Sequence, residues 1–306
     1  MPDEQRSEAG GHDHGCSQMD PDARAQQDQL DVRMLLVRHK FLVLSGKGGV
    51  GKSTVAVNLA TALADAERRV GLLDVDLHGP SVPSLLGLEY KPAPGRAGGI
   101  APAPVGDNLW AMSIQFFLPE DDDAVIWRGP RKYSAIREML AGVDWGHLDC
   151  LVVDAPPGTG DEALALVELL GAGTGAVIVS TPQRVAVNDV RKALRFCETL
   201  HLPVLGVIEN MSGFVCPHCG ETTDVFLSGG AERMAREAAV DFLGRIPMDP
   251  AVVTAGEDGV PHVRAHPDSP TALAFQTAVA PLLELTERRD HGYELVSTPS
   301  TDDPGA

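Results

Sequence analysis

The stretch Leu44–Thr54, LSGKGGVGKST, is the strongest constraint on how this chain can fold. An apolar run, FLVL, leads into it, and STVAVNLATALADA follows with apolar residues at helical spacing. Gly46, Gly51, Lys52 and Ser53 satisfy the spacing G-x-x-x-x-G-K-[ST], which requires a strand, a tight loop and a helix in that order. Such a loop turns its backbone N–H groups inward onto phosphate oxygens, and the helix N-terminus adds the positive end of its dipole. The candidate phosphate cradle is therefore Gly46, Lys47, Gly48, Gly49, Val50, Gly51, Lys52, Ser53 and Thr54. Within it, Lys52 is expected to reach the β- and γ-phosphates, and the Ser53 hydroxyl to ligate Mg²⁺. Lys47 is a second lysine, surplus to cradling phosphates at its own site.

The rest of the chain extends this unit. Short β-branched runs at Phe41–Leu44, Val70–Asp74, Cys150–Asp154, Ala176–Ser180, Val204–Ile208 and Phe242–Arg245 alternate with longer helical patterns. That alternation predicts an α/β fold, a doubly wound and mainly parallel sheet with helices on both faces. Hydrophobic residues make up 43% of the chain and aromatics only 5%, as an aliphatic, doubly covered sheet requires. Residues 1–36 are polar and weakly periodic and read as a disordered arm; residues 287–306 read as a disordered acidic tail; the domain lies between, at 37–286. Lys91–Pro104, rich in Pro and Gly, reads as an irregular excursion within that domain. A net charge of −18 argues against nucleic acid or an anionic membrane as partner. With no apolar run of spanning length and a polar N-terminus, a cytoplasmic setting is expected. The five cysteines are then metal ligands or core residues before disulfides.

Two further segments end in carboxylates. LLDVDLHGPS, Leu72–Ser81, presents Asp74 and Asp76 on one face of an extended chain, beside the phosphate loop. CLVVDAPPGTGD, Cys150–Asp161, is an apolar strand ending in Asp154, the pattern that holds Mg²⁺ through a water. Pro156, Pro157 and Gly158 make a stiff bend whose Gly158 N–H is a candidate γ-phosphate sensor; Asp161 starts the next helix, and an N-cap and a catalytic role are both open for it. Further on, IENMSGFVCPHCGE places Cys216 and Cys219 in one turn. Two thiolates do not close a four-ligand metal site. A thiol–disulfide pair, half a zinc site and half an iron–sulfur site are all open at this point. Cys150 and Cys197, on a helix expected at Val187–Leu200, read as core. Whether Cys16, His12 and His14 in the arm bind metal is open.

Taken together, GKGGVGKST, DLHGPS, WRGPRKYSAI, DAPPGTGD and the Asn-Met-Ser turn before C-x-x-C resemble the Mrp (ApbC-like) branch of the deviant Walker A ATPases. That larger group includes nitrogenase iron protein, MinD and ParA. The resemblance spans about Lys40 to Leu285. It implies ATP as ligand and a homodimer in which Lys47 reaches the phosphates held by the other subunit. It also implies Asp76 as the residue orienting the attacking water and Asn210 as an adenine contact. Catalysis would rest on Lys47, Lys52 and Asp76, with Mg²⁺ held by Ser53 and, through water, Asp154. Cys216 and Cys219 of two subunits would together bind a [4Fe-4S] cluster for apo iron–sulfur proteins. A MinD/ParA-type positioning ATPase and a P-loop NTPase with a structural zinc knuckle are the alternatives. Neither a second N-terminal cluster nor an extra N-terminal domain is expected.

Overall fold

The computed structural model describes residues 21–287, apart from 78, 97, 118–128, 217, 218, 220 and 226. His12, His14 and Cys16 of the arm, Trp127 and Arg128, and the tail beyond Glu287 lie outside the described residues. In chain order the first elements are α1 (Pro21–Leu35), β1 (Val37–Leu44), α2 (Lys52–Asp65), β2 (Val70–Asp74), α3 (Val82–Leu85), β3 (Ala93–Pro94), β4 (Ile100–Ala101), β5 (Ala103–Pro104) and β6 (Leu109–Ser113). After a 3₁₀ turn come α4 (Gly129–Gly142), β7 (Leu148–Asp154), α5 (Asp161–Leu170), β8 (Thr174–Ser180), α6 (Arg184–Thr199) and β9 (Val204–Glu209). The chain closes with β10 (Phe214–Val215), β11 (Thr222–Thr223), α7 (Gly230–Glu237), β12 (Phe242–Arg245), α8 (Pro250–Glu257), α9 (His262–Ala265) and α10 (Pro270–Glu287).

One sheet organises the molecule, in the order β12-β9-β8-β1-β7-β2-β6-β5. Every neighbouring pair is parallel except β5 with β6. Successive strand residues face opposite sides, and here both sides are covered. Leu42, Leu44, Leu151 and Val153 pack under α1, α4, α5, α6 and α7. Phe41, Val43, Cys150 and Val152 pack under α2 and α10, against residues such as Val55, Leu59, Phe275 and Val279. Double burial is why the strands read as unbroken apolar runs.

The six strands expected from sequence are present, some longer at their ends. Two additions are β5 and β6, which extend the sheet past β2. Lys91–Pro104 is not wholly irregular: β3 and β4 pair antiparallel, and β5 joins the main sheet. The expectation of a disordered arm up to residue 36 is corrected over Pro21–Leu35, which is helical. Leu30 and Met34, one turn apart, are buried, and Arg33 bonds Asp144 at 2.5 Å and the Gly98 carbonyl at 2.8 Å. These contacts hold α1 on the sheet's flank.

Candidate nucleotide and metal site

Strand register brings the chemistry to one edge. Asp74 lies opposite both Asp154 and Ser113, Val43 opposite Asp154, and Ser180 opposite Glu209. The carboxyl ends of six adjacent strands, β9-β8-β1-β7-β2-β6, thus line up beside the loop that leaves β1. This is the edge where parallel α/β sheets bind ligands.

In the loop, Gly49 and Gly51 have φ of 78° and 77°, a conformation that costs an L side chain about 1–2 kcal/mol. Gly51 is also the N-cap of α2, which has no side-chain cap and no acidic residue in its first turn. The N–H groups that Ser or Asp would normally satisfy are left to the loop and its ligand. Close approach matters as well. A Cβ on Gly51 would collide with the Asn210 amide, and one on Gly46 with the Asp189 backbone.

Lys52 is 6% exposed, and its ammonium lies 2.5 Å from Oδ1 of the fully buried Asp154. The other oxygen of that carboxylate, Oδ2, is buried with no hydrogen-bond partner among the described residues. A buried carboxylate oxygen left unpaired costs free energy unless a cation or a water occupies it. Asp154 and the Ser53 hydroxyl, which lies 3.5 Å from the Lys52 ammonium, are hard oxygen donors, so this corner fits Mg²⁺. Burial pushes the Asp154 carboxyl up, and Lys52 opposes that shift. Asp74, also fully buried, is raised to about 7 by burial and then by the charge of Asp154.

Asp74 and Asp76 do not act as a matched pair. Asp74 accepts from the Asp76, Ser81 and Val82 N–H groups at 3.1, 3.2 and 3.2 Å and from the Ser113 hydroxyl at 3.1 Å. It is the anchor of the segment that follows β2. Asp76 is half-buried and stands beyond the end of that strand. The Gly158 N–H, the candidate γ-phosphate sensor, donates to the Ser45 carbonyl at 2.9 Å and ties the bend after β7 to the phosphate loop. Asp161 is the first residue of α5, and the N-cap is Gly160. Lys47 is half-buried, and no partner for its ammonium is found among the described residues.

Beyond β9, Asn210 donates its side-chain amide to the Val50 carbonyl at 2.9 Å. The expected adenine contact therefore braces the phosphate loop here. β10 and β11 form a small antiparallel hairpin, and the Cys216 N–H donates to the Glu221 carbonyl at 2.9 Å. Cys216 is half-buried and Cys219 exposed at this tip, while Pro217, His218 and Gly220 between and after them lie outside the described residues. Cys150 and Cys197 are buried, as the sequence suggested. Among the described residues, no three His, Cys, Asp or Glu side chains gather as a metal site.

Sequence reasoning missed Glu209 and Ser113. Glu209 is 0% exposed and binds the Ser212 hydroxyl and the Gly229 and Ala231 N–H groups. An acid ending an apolar parallel strand, as Asp74 and Asp154 do, was the available signal. Ser113 had none, since its strand was not foreseen.

A parallel sheet with a glycine loop after its central strand, and a lysine held on a neighbouring strand's buried aspartate, defines a P-loop NTPase. Residues 36–283 match the family described as "ParA: NUBPL iron-transfer P-loop NTPase", and the chain belongs to that family. It is 46% identical over 264 residues to the iron-sulfur cluster carrier protein of Methanocaldococcus jannaschii, covering 86% of this chain and 90% of that one. It is 48% identical over 254 residues to the bovine cytosolic Fe-S cluster assembly factor NUBP2, covering 82% and 94% respectively. Among solved structures, a nucleotide-binding protein of Archaeoglobus fulgidus in complex with ADP is 38% identical with a TM-score of 0.70, covering 81% of this chain and 96% of that one. The cell division ATPase MinD of Pyrococcus furiosus, at 22% identity and a TM-score of 0.59 over 81% of this chain and 100% of that one, shares the fold. No helix among the described residues is long and apolar enough to cross a membrane.

Proposed function

We propose that this protein is an ATP-hydrolysing carrier of iron–sulfur clusters. In this reading it works as a homodimer in the cytoplasm and passes a bridging [4Fe-4S] cluster to apo-proteins. The observation that carries the proposal is the cysteine tip, with half-buried Cys216 and exposed Cys219, hung from the same sheet edge as the phosphate loop. The names of the two curated relatives support it.

The loop N–H groups of Gly46–Thr54 bind the triphosphate, and Asn210 contacts the adenine side of the site. Lys52 exchanges Asp154 for the β- and γ-phosphates. Ser53, and Asp154 through a water, would hold Mg²⁺, which neutralises charge on the phosphate oxygens when bound. Asp76 orients a water toward the γ-phosphorus. The new P–O bond forms as the bond to the ADP oxygen breaks, and Lys47 of the other subunit meets the charge that develops. The cluster is cargo: acceptor thiolates replace Cys216 and Cys219 one for one, without net electron transfer.

Anaerobic reconstitution with iron and sulfide tests the cargo. The broad iron–sulfur absorbance band is expected in the wild type and lost in Cys216→Ser. Tight zinc uptake with no such band would overturn the reading in favour of a structural knuckle. ATP-dependent pelleting with liposomes or DNA would favour a positioning ATPase instead.

A further inference from the structure

Glu209 and Asn210 are consecutive residues at the end of β9, and they bind two different loops. Asn210 serves the nucleotide side. Its backbone N–H donates to Ser180 at 2.7 Å, and its side-chain amide to Val50 at 2.9 Å, against the face of Gly51 that has no room for a Cβ. Glu209 serves the cysteine side. One oxygen accepts from the Ser212 hydroxyl at 2.5 Å and the Gly229 N–H at 2.8 Å. The other accepts from the Ala231 N–H at 2.7 Å. Ser212 precedes Cys216 and Gly229 follows Cys219, so a single buried carboxylate closes both ends of the cysteine loop. The same charge sits at the N-terminus of α7, where the helix dipole favours it.

We propose that Glu209 and Asn210 form the coupling element between the nucleotide and the cysteines, with Glu209 as the positioning residue for the metal-binding loop. The Val50–Gly51 backbone belongs to the phosphate cradle, and the Asn210 amide is fixed to it. A shift of that backbone on nucleotide binding moves Asn210. Glu209 is joined to Asn210 by a peptide bond and is held in the sheet, its carbonyl accepting from the Ile246 N–H at 2.8 Å. The displacement therefore reaches both ends of the cysteine loop at once. A second brace ties the loop's base to the strand exit after β12, through Ser212 to Ile246 at 2.9 Å and Met248 to Gly213 at 2.7 Å. With its base clamped at several points, the tip carrying Cys216 and Cys219 is the part left to respond. This deepens the carrier reading and rests on it for the purpose of the loop.

The test is read on the metal-free protein, so its outcome is separable from that of cluster reconstitution. Iodoacetamide alkylation rates at Cys216 and Cys219 are followed by peptide mass spectrometry, with and without Mg·AMP-PNP. In the wild type, nucleotide is expected to change the rate by about five-fold or more, the lower end of ordinary coupling between sites. Glu209→Gln keeps the shape but loses an acceptor. It is expected to bind AMP-PNP yet bring the ratio of the two rates close to one. Ser212→Ala removes one bond of the clamp, and its ratio should fall between. A residue that only caps α7 would lower Tm in these variants and leave the ratio alone. A wild-type ratio retained in Glu209→Gln, or in Ser212→Ala should the first variant not fold, overturns the proposal. So does a wild type whose alkylation ignores nucleotide.

Discussion

Lys52 and Asp154 show how a single ion pair readies the site. Two groups buried this deeply cost several kcal/mol each to desolvate, and only a close partner offsets that. In the proposed mechanism the pair holds Lys52 at the mouth of the loop until phosphate arrives to compete for it. Lys47 has a different task in the proposed mechanism, because it serves the opposite subunit. Lys47→Ala should bind ATP nearly as well as the wild type but hydrolyse it about 100-fold more slowly or worse, as loss of a charge-stabilising donor does. Phosphate release under saturating ATP measures this. Gly51→Ala combines a disfavoured φ with a collision against Asn210, so nucleotide affinity measured calorimetrically should fall at least about ten-fold. A third residue-scale effect lies at His262, which is 1% exposed. Its Nε2 is 2.9 Å from the Ser269 hydroxyl and 3.7 Å from the Asp249 carboxylate. Burial lowers its pKa below the ordinary value, with Asp249 opposing. Folding thus favours the neutral ring, while the unfolded chain takes up the proton first as pH falls. Stability contributed by this site is full above the unfolded pKa of 6.5 and is lost as pH drops toward the lower folded pKa. Tm measured against pH should show an acid-side decline that is shallower in His262→Gln.

Among the elements, α1 is the one whose role is least apparent from its composition. Most of its surface is polar, and Val32 and Leu35 are exposed, yet Leu30 is completely buried and Arg33 is anchored on Asp144. Leu30→Ala should cost about 2–4 kcal/mol in urea unfolding, through lost burial and the cavity left behind. A change near zero would mean that α1 does not pack in solution. The same feature explains why this helix was not legible in the sequence: two buried apolar residues one turn apart, Leu30 and Met34, do not make a stripe. The strands were legible for the opposite reason. FLVL, CLVVD and TGAVIVS are covered on both faces, so burial leaves no polar alternation to blur them. β6 was harder, since Leu109–Ser113 follows a Pro- and Gly-rich stretch and belongs to the last parallel strand before the sheet's antiparallel edge. At the site, the phosphate loop and Asp154 were readable because glycine spacing and a strand-end acid are local signals. The inward turn of Asp74, the Gly158 bond to Ser45 and the Glu209 clamp depend on which strands lie side by side, and no local pattern encodes that.

At the scale of the whole molecule, each chain offers one pair of thiols outside its core among the described residues, half-buried Cys216 and exposed Cys219. Burial raises the thiol pKa of Cys150, and that of Cys197 to about 11, so both are poor thiolates. Cys216 and Cys219 alone remain accessible there, and two thiolates do not complete a four-ligand site. In the proposed dimer a second copy would supply the missing two. The same pairing would bring Lys47 to the opposite triphosphate, so one assembly serves both demands. Multi-angle light scattering during anaerobic gel filtration, with iron determined across the same peak, tests that assembly most directly. The account predicts a dimer carrying one [4Fe-4S] cluster shared by its two chains. A monomer that retains a whole cluster would contradict it.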